Sequence, residues 1–110
     1  MVIMSSKKSK ITDIKSYKAL TTQRKVNFAS AGFGSMTFST TAYMAYKSQT
    51  MDALVHVPYK GPSEFYVDLI NGNIDIASDY VVSGAPLINN GSLVAVAVTG
   101  KKRSMLLPEV

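Results

Sequence analysis

Apolar residues recur along this chain in short runs that switch between two spacings. Val2-Ile3-Met4 is a brief apolar run, broken by Ser5, Ser6 and a group of lysines. Ile11, Ile14, Tyr17 and Leu20 then repeat every third residue, the step of a helix with one buried stripe. Thr12-Asp13 supplies an N-cap and early negative charge for that helix. Lys25 to Ala29 alternates and predicts a strand. From Ser35 to Gln49 the spacing is helical again, with Phe38, Ala42, Met44, Ala45 and Tyr46 on or near an inner face. Leu54 to Val57 predicts a strand stopped by Pro58. Pro62 to Asn71 predicts a helix with Pro62 near its first position, Phe65 and Leu69 turned inward, and Tyr66 and Ile70 beside them. Asn71-Gly72 ends it, since both residues tolerate a left-handed C-cap. Ile74 to Ala77 predicts a strand, and Val81 to Ile88 a short helix closed by Asn89-Asn90-Gly91. Leu93 to Val98 predicts a strand buried on both faces, followed by a polar tail with one proline.

The order is strand and helix in strict alternation, ending on a fifth strand. That pattern predicts an α/β fold: a mainly parallel sheet of about five strands with flanking helices and right-handed crossovers. Ligands on such sheets sit beyond the carboxyl ends of the strands, near the helix N-termini. The strand-to-helix loops are therefore where chemistry is sought.

Composition narrows the classes. The 110 residues make one domain, with 46% apolar and 17% charged residues, an ordinary globular balance. No apolar stretch approaches the ~20 residues that cross a bilayer. No stretch joins a basic start, an apolar core and a small-residue cleavage site, so a signal peptide is not legible. With no cysteine there is no disulfide and no thiolate chemistry. The net charge of +5 is uneven: Lys7, Lys8, Lys10, Lys15, Lys18, Arg24 and Lys25 crowd the first quarter, and Lys101, Lys102 and Arg103 the end. No stacking aromatics or recognition helix accompany them, so nucleic acid is not expected as a partner. A solvated basic face, or one that attracts anionic solutes, accounts for them.

Three loops carry candidate chemistry. Ser30-Ala31-Gly32-Phe33-Gly34-Ser35 follows a strand and opens a helix. Its glycines permit close backbone approach, its serines offer hydroxyls, and the helix start favours a carboxylate or phosphate. A plain tight turn with a serine cap fits the same residues equally well. It is neither a P-loop nor a dinucleotide fingerprint, lacking the lysine of one and the third glycine of the other. Val57-Pro58-Tyr59-Lys60-Gly61-Pro62 is a rigid turn that presents Tyr59 and a point charge on Lys60, which reads as an anion contact or a surface lysine. In Ser78-Asp79-Tyr80, Asp79 holds an ammonium group or a water, or caps the helix that follows. Asp68 and Asp75, flanking the end of the preceding helix, are read as solvated. His56 is the single histidine, and with no cysteine a metal site is not expected. A triad of Ser35, His56 and Asp79 has no nucleophile elbow behind it, so no catalytic residue and no cofactor are assigned.

Three stretches stand out together: Val26 to Ser35; His56-Val57-Pro58-Tyr59-Lys60-Gly61 with Asp68-Leu69-Ile70-Asn71-Gly72-Asn73-Ile74-Asp75; and Gly91 to Thr99 with Lys102-Arg103 and Leu107-Pro108-Glu109-Val110. With these the chain resembles the tripartite tricarboxylate transporter receptor (TctC or Bug) family. The resemblance implies a periplasmic solute-binding protein with two lobes of the type II kind that close on a small carboxylic acid and pass it to membrane permease subunits. By it, residues 1–110 are a single α/β lobe, the second, without the first lobe and the signal peptide. Val2 to Met4 and Leu93 to Thr99 would be the two crossings between lobes. Carried over by position, the ligand-facing set is Ser30, Ala31, Gly32, Gly34, Ser35, Tyr59, Lys60, Gly61 and Asp79. Phe38 stands where relatives often carry a histidine, which removes a polar contact. A stand-alone interaction module, as a homodimer whose two lobes form a new cleft, is the alternative, and an exposed Leu93 to Val98 edge would drive it.

Overall fold

A computed structural model of the chain describes residues 1–32 and 34–99. The polar tail, with Lys102-Arg103 and Leu107 to Val110, lies outside them. The elements are β1 (Val2–Ser5), α1 (Ile14–Thr21), β2 (Val26–Ser30), α2 (Met36–Ser48), β3 (Leu54–Pro58), α3 (Pro62–Asn71), β4 (Ile76–Asp79), α4 (Val81–Asn89) and β5 (Val94–Val98). Single 3-10 turns at Lys7–Ser9 and Met51–Ala53 complete them. The predicted alternation is the observed one.

Local chemistry explains the boundaries. Asp13 accepts the Ser16 N–H at 2.7 Å while Ser16 Oγ accepts the Asp13 N–H at 3.0 Å, a reciprocal cap that starts α1. Ser35 accepts the Phe38 N–H and starts α2. Gly72 ends α3 at φ 84, and a Cβ there would collide with the Lys8 side chain.

The sheet order is β3-β2-β4-β1-β5. β2 pairs parallel with β3 and β4, while β1 runs antiparallel between β4 and β5. Four strands thus share one direction and β1 opposes them. The reversal brings Val2 opposite Asp79 and Val98, so Met1 and Thr99 meet at the carboxyl edge, where the Thr99 N–H donates to the Met1 carbonyl at 2.9 Å. Helices cover both faces. Ile3, Ile11, Tyr17, Val26, Phe28 and Ile76 form the core beneath α1 and α2; Met4, Ala29, Phe65, Leu69, Ala77 and Ala85 form the core beneath α3 and α4.

Three expectations are corrected. β5 lies at the sheet edge, not the centre: Val96 is buried, but the other four residues of the strand are only half-buried. A register shift opposite Ile3 and Met4 leaves Val96 as a bulge, a feature that blunts an edge. Tyr46 is 68% exposed; the inner stripe of α2 is Thr37, Thr41 and Ala45, spaced by four, with Thr40 beside it. Those threonines enter the core because their polar groups find partners there. Thr41 Oγ1 lies 3.1 Å from Ser78 Oγ, which donates to the Thr37 carbonyl at 2.8 Å. Finally, Asp75 is buried, not solvated. Arg24 grips both its oxygens at 2.9 and 3.0 Å and the Asn27 N–H donates at 2.9 Å, which pins the amino ends of β2 and β4 together. The Asp75 N–H also donates to the Asn27 carbonyl at 3.1 Å, so the carboxylate adds to a backbone bond between these strand ends, a pairing that spacing along the chain does not reveal.

Candidate functional site

The three predicted loops leave the same end of the sheet side by side. Ser30 pairs with Pro58, and Ala29 with Ala77, so Ala31, Tyr59 and Asp79 lie at one level beyond the strands. The Tyr59 N–H donates to the Ser30 carbonyl at 2.8 Å and joins the first two loops directly.

In the first loop the serines serve the fold. Ser30 is fully buried; its Oγ lies 2.5 Å from His56 Nε2 and accepts the Gly32 N–H at 3.0 Å. Ser35 Oγ donates to the Gly32 carbonyl at 2.7 Å, lies 2.8 Å from Thr37 Oγ1 and caps α2. The Ala31 N–H donates to Thr37 Oγ1 at 2.8 Å. The result is a tightly cross-bonded turn in which Gly32 sits at φ 120. Gly34 is exposed at its outer side. Phe38 turns back from the loop: its ring is 4.9 Å from that of His56 and 5.9 Å from Phe28, against the α1–α2 core.

In the second loop Lys60 is exposed and Gly61 is half-buried at the start of α3. Tyr59 donates to Asp68 Oδ2 at 2.6 Å, and burial together with that carboxylate pushes its phenol up to about 12. Asp68 is thus half-buried and bonded, where solvation was expected. In the third loop Asp79 is buried. It accepts the Tyr66 hydroxyl at 2.8 Å and the Tyr80 N–H at 2.8 Å. Burial and the Asp79 carboxylate raise the Tyr66 phenol well above its usual range. Asp79 does not cap α4: Tyr80 occupies the cap position and offers no side-chain bond there. Nor does the triad of Ser35, His56 and Asp79 assemble, because His56 bonds Ser30 and Asp79 bonds Tyr66. Among the described residues no group of His, Cys, Asp and Glu has the arrangement of a metal site, and no helix is long and apolar enough to cross a membrane.

Among the described residues the open side of this end therefore consists of Gly32 and Gly34, exposed Lys60 and Tyr80, and the starts of α3 and α4. Neither start is capped by a side chain: Gly61 has none to offer, and Tyr80 accepts no helix N–H. The sequence model of the tripartite tricarboxylate transporter family receptor matches residues 1–110. The chain belongs to this receptor family.

Its relatives are longer. A UPF0065 protein from the tcbD-tcbE intergenic region of Pseudomonas sp. strain P51 is 37% identical over 86 residues, 78% of this chain but 25% of its own length. A second UPF0065 protein, from the gbd 5' region of Cupriavidus necator, is 31% identical over 98 residues. Among solved structures, MatC of Rhodopseudomonas palustris with bound malate superimposes with a TM-score of 0.90 at 21% identity, covering 99% of this chain and 37% of MatC. Rpa4515 of R. palustris with adipate gives 0.84 at 23%, covering 93% and 34%. The chain thus spans about a quarter to a third of the proteins it matches, and it shares their fold.

Sequence reasoning missed Thr37, Tyr66 and Asp68 as the groups that fix these loops. A threonine in the first turn of a helix, and a tyrosine beside an inward phenylalanine, signal packing before they signal loop anchoring. His56 leads to a pH prediction. Burial holds its imidazole below the ordinary value of 6.5. The unfolded chain binds that proton more readily than the folded one, so stability is complete above about pH 6.5 and falls as pH drops below it. Urea midpoints of wild type and His56→Gln between about pH 7.5 and 5 check this. The glutamine variant should lose the His56 part of the slope; identical slopes would refute it.

Proposed function

We propose that this chain is the second lobe of a periplasmic receptor for small carboxylic acids, delivering solute to the permease subunits of a tripartite membrane transporter. One observation carries the reading: two helices start at the carboxyl end of the sheet without a side-chain cap, with exposed Lys60 between the strand ends and those starts. At α3 Pro62 carries no N–H, and Glu64 and Ser83 donate back to the Gly61 and Tyr80 carbonyls, but the N–H groups ahead of them in each helix have no intrahelical acceptor, and the positive end of the helix favours an anion. A small dicarboxylate satisfies both. The malate in MatC and the adipate in Rpa4515 support that ligand class. The serines support binding rather than catalysis: Ser30 is sealed from solvent and Ser35 is committed to the turn. The homodimer alternative draws little support, because the bulge at Val96 interrupts the edge along which strands would pair.

Small ligands need most of their surface enclosed, and one wall encloses half. The isolated chain is therefore expected to bind dicarboxylates with a millimolar constant or weaker, about −4 kcal/mol. Amide NMR titration with malate and adipate detects binding that weak. Shifts confined to residues 30–35, 59–64 and 79–83, and weakened several-fold in Lys60→Ala, are the expected result. A folded chain whose shifts fall elsewhere, or that gives none, would sink the reading.

A further inference from the structure

The outer face of α2 is unusually apolar for a surface helix. Met36, Tyr43 and Tyr46 are 55, 61 and 68% exposed, and Met51 just beyond the helix is 50% exposed. Positions 36, 43 and 46 share one side of the helix, two turns and then one apart. Beside them runs a groove of about 380 Å3 between α1 and α2, lined by Ile14, Lys18, Tyr43, Met44, Lys47 and Ser48. That volume admits one large apolar side chain. Lys47 Nζ lies 5.7 Å from the centre of the Tyr43 ring, so a cation and the aromatic wall of the groove stand together.

The charge around the groove has one sign. α1 carries Lys15 and Lys18, α2 carries Lys47, and neither helix has an acidic residue. The single acid among the first 50 residues is Asp13, and its carboxylate is occupied in capping α1. Asp52, past Tyr46 and Met51, is the nearest acid at the far end of the ridge. Lys47 lies 11 residues along α2 from Met36, about 17 Å from the helix end that faces the loops. Met36 and the near side of Tyr43 line a pocket with Met1 and Thr99 at the carboxyl edge, so the carboxylate reading bears on that end of the ridge; it neither requires nor explains the groove beside Lys47.

We infer that the α1–α2 face docks an acidic, amphipathic segment of a partner protein. An apolar anchor of that segment fills the groove against Tyr43 and Met44, and its carboxylates face Lys15, Lys18 and Lys47. An aromatic centre with complementary charge around it is the usual build of a protein–protein contact. Helix-in-groove docking supplies anchors at the required spacing.

The test uses a fluorescein-labelled peptide of Leu and Glu at helical spacing with one central Trp, read by fluorescence anisotropy at low salt. Saturable binding is expected, weakened about tenfold or more, 1.4 kcal/mol, by Tyr43→Ala and by Lys18→Glu with Lys47→Glu. Raising salt from about 50 to 200 mM should weaken it further, because exposed charges are screened. Lys7→Glu with Lys8→Glu changes net charge equally, away from the groove, and should leave binding within about twofold. All substituted side chains are at or near the surface, and circular dichroism confirms that each variant folds. The proposal is overturned if the two charge-reversed pairs weaken binding alike, or if a peptide with Ser in place of Leu and Trp binds as well. Sedimentation of the chain with phosphatidylglycerol vesicles, without peptide binding, also overturns it.

Discussion

Replacing Phe65 with alanine is expected to cost about 3–5 kcal/mol of folding free energy. The ring is fully buried on α3, in the core formed with Met4, Ala29, Leu69 and Ala77. It lies 5.1 Å from the Tyr66 ring and 6.3 Å, edge-on, from the Tyr59 ring. A domain of this size has about 5–15 kcal/mol in total, so this one truncation removes a large share. Phe65→Leu keeps most of the volume and should cost less than about 2 kcal/mol. The two tyrosines give the substitution a second consequence. Tyr59 anchors the Lys60 loop through Asp68, and Tyr66 anchors Asp79, so a loosened ring frees two of the three loops at once. Urea unfolding of the three proteins measures the first effect, and the dicarboxylate NMR titration of Phe65→Leu the second. A loss below about 1 kcal/mol for Phe65→Ala would mean that α3 does not pack on the sheet as described.

The alternation of elements was legible because each helix and strand carries its own period and its own punctuation. α3 is the clearest case: Pro62 opens it, Phe65 and Leu69 face inward four residues apart, and Gly72 closes it in the left-handed conformation that Asn71-Gly72 announces. What the chain does not carry locally is the order of strands. Nothing in Val2 to Ser5 says that this run enters the sheet between β4 and β5, against the direction of both. Nothing in the fully apolar Val94–Val98 says that it lies at an edge. A short apolar run has the same pattern at the centre of a sheet as beside a bulge.

The candidate site shows the same division. The loops were legible as strand-to-helix junctions, and the parallel register of β2, β3 and β4 explains why they converge. The roles within them were not. Ser30 and Ser35 looked like hydroxyl donors for a ligand, yet both hydroxyls hold the turn, through His56, Gly32 and Thr37. Those partners lie up to 26 residues away, a pairing that only the register between strands creates. Asp79 likewise takes its partner from α3, not from the helix it precedes. Side-chain hydroxyls and carboxylates thus brace the three loops, which leaves backbone groups, Lys60 and the two uncapped helix starts as the parts that face outward.

Gly32→Ala against Gly34→Ala isolates the backbone's share in that bracing. A Cβ at either position meets no atom within 4 Å, so crowding plays no part in the comparison. The difference is conformational. Gly32 sits at φ 120, where L side chains rarely go, and Gly34 does not adopt such a φ. Gly32 is also held on both sides: its N–H donates to Ser30 Oγ, and its carbonyl accepts from the Ser35 hydroxyl and, at 3.2 Å, from the Ser35 N–H. The turn cannot relax without giving up those bonds. Gly32→Ala is therefore expected to cost about 1–3 kcal/mol. Gly34→Ala should be neutral, or stabilising by up to about 1 kcal/mol through a less flexible unfolded chain. Urea unfolding reads both. The same pair separates bracing from binding: if the turn is the wall a carboxylate meets, Gly32→Ala also weakens the dicarboxylate-induced shifts at residues 30–35, while those at 59–64 persist. Equal costs for the two alanines would mean that Gly32 is not locked in the turn, and the wall would then have to be formed by the α3 and α4 starts alone.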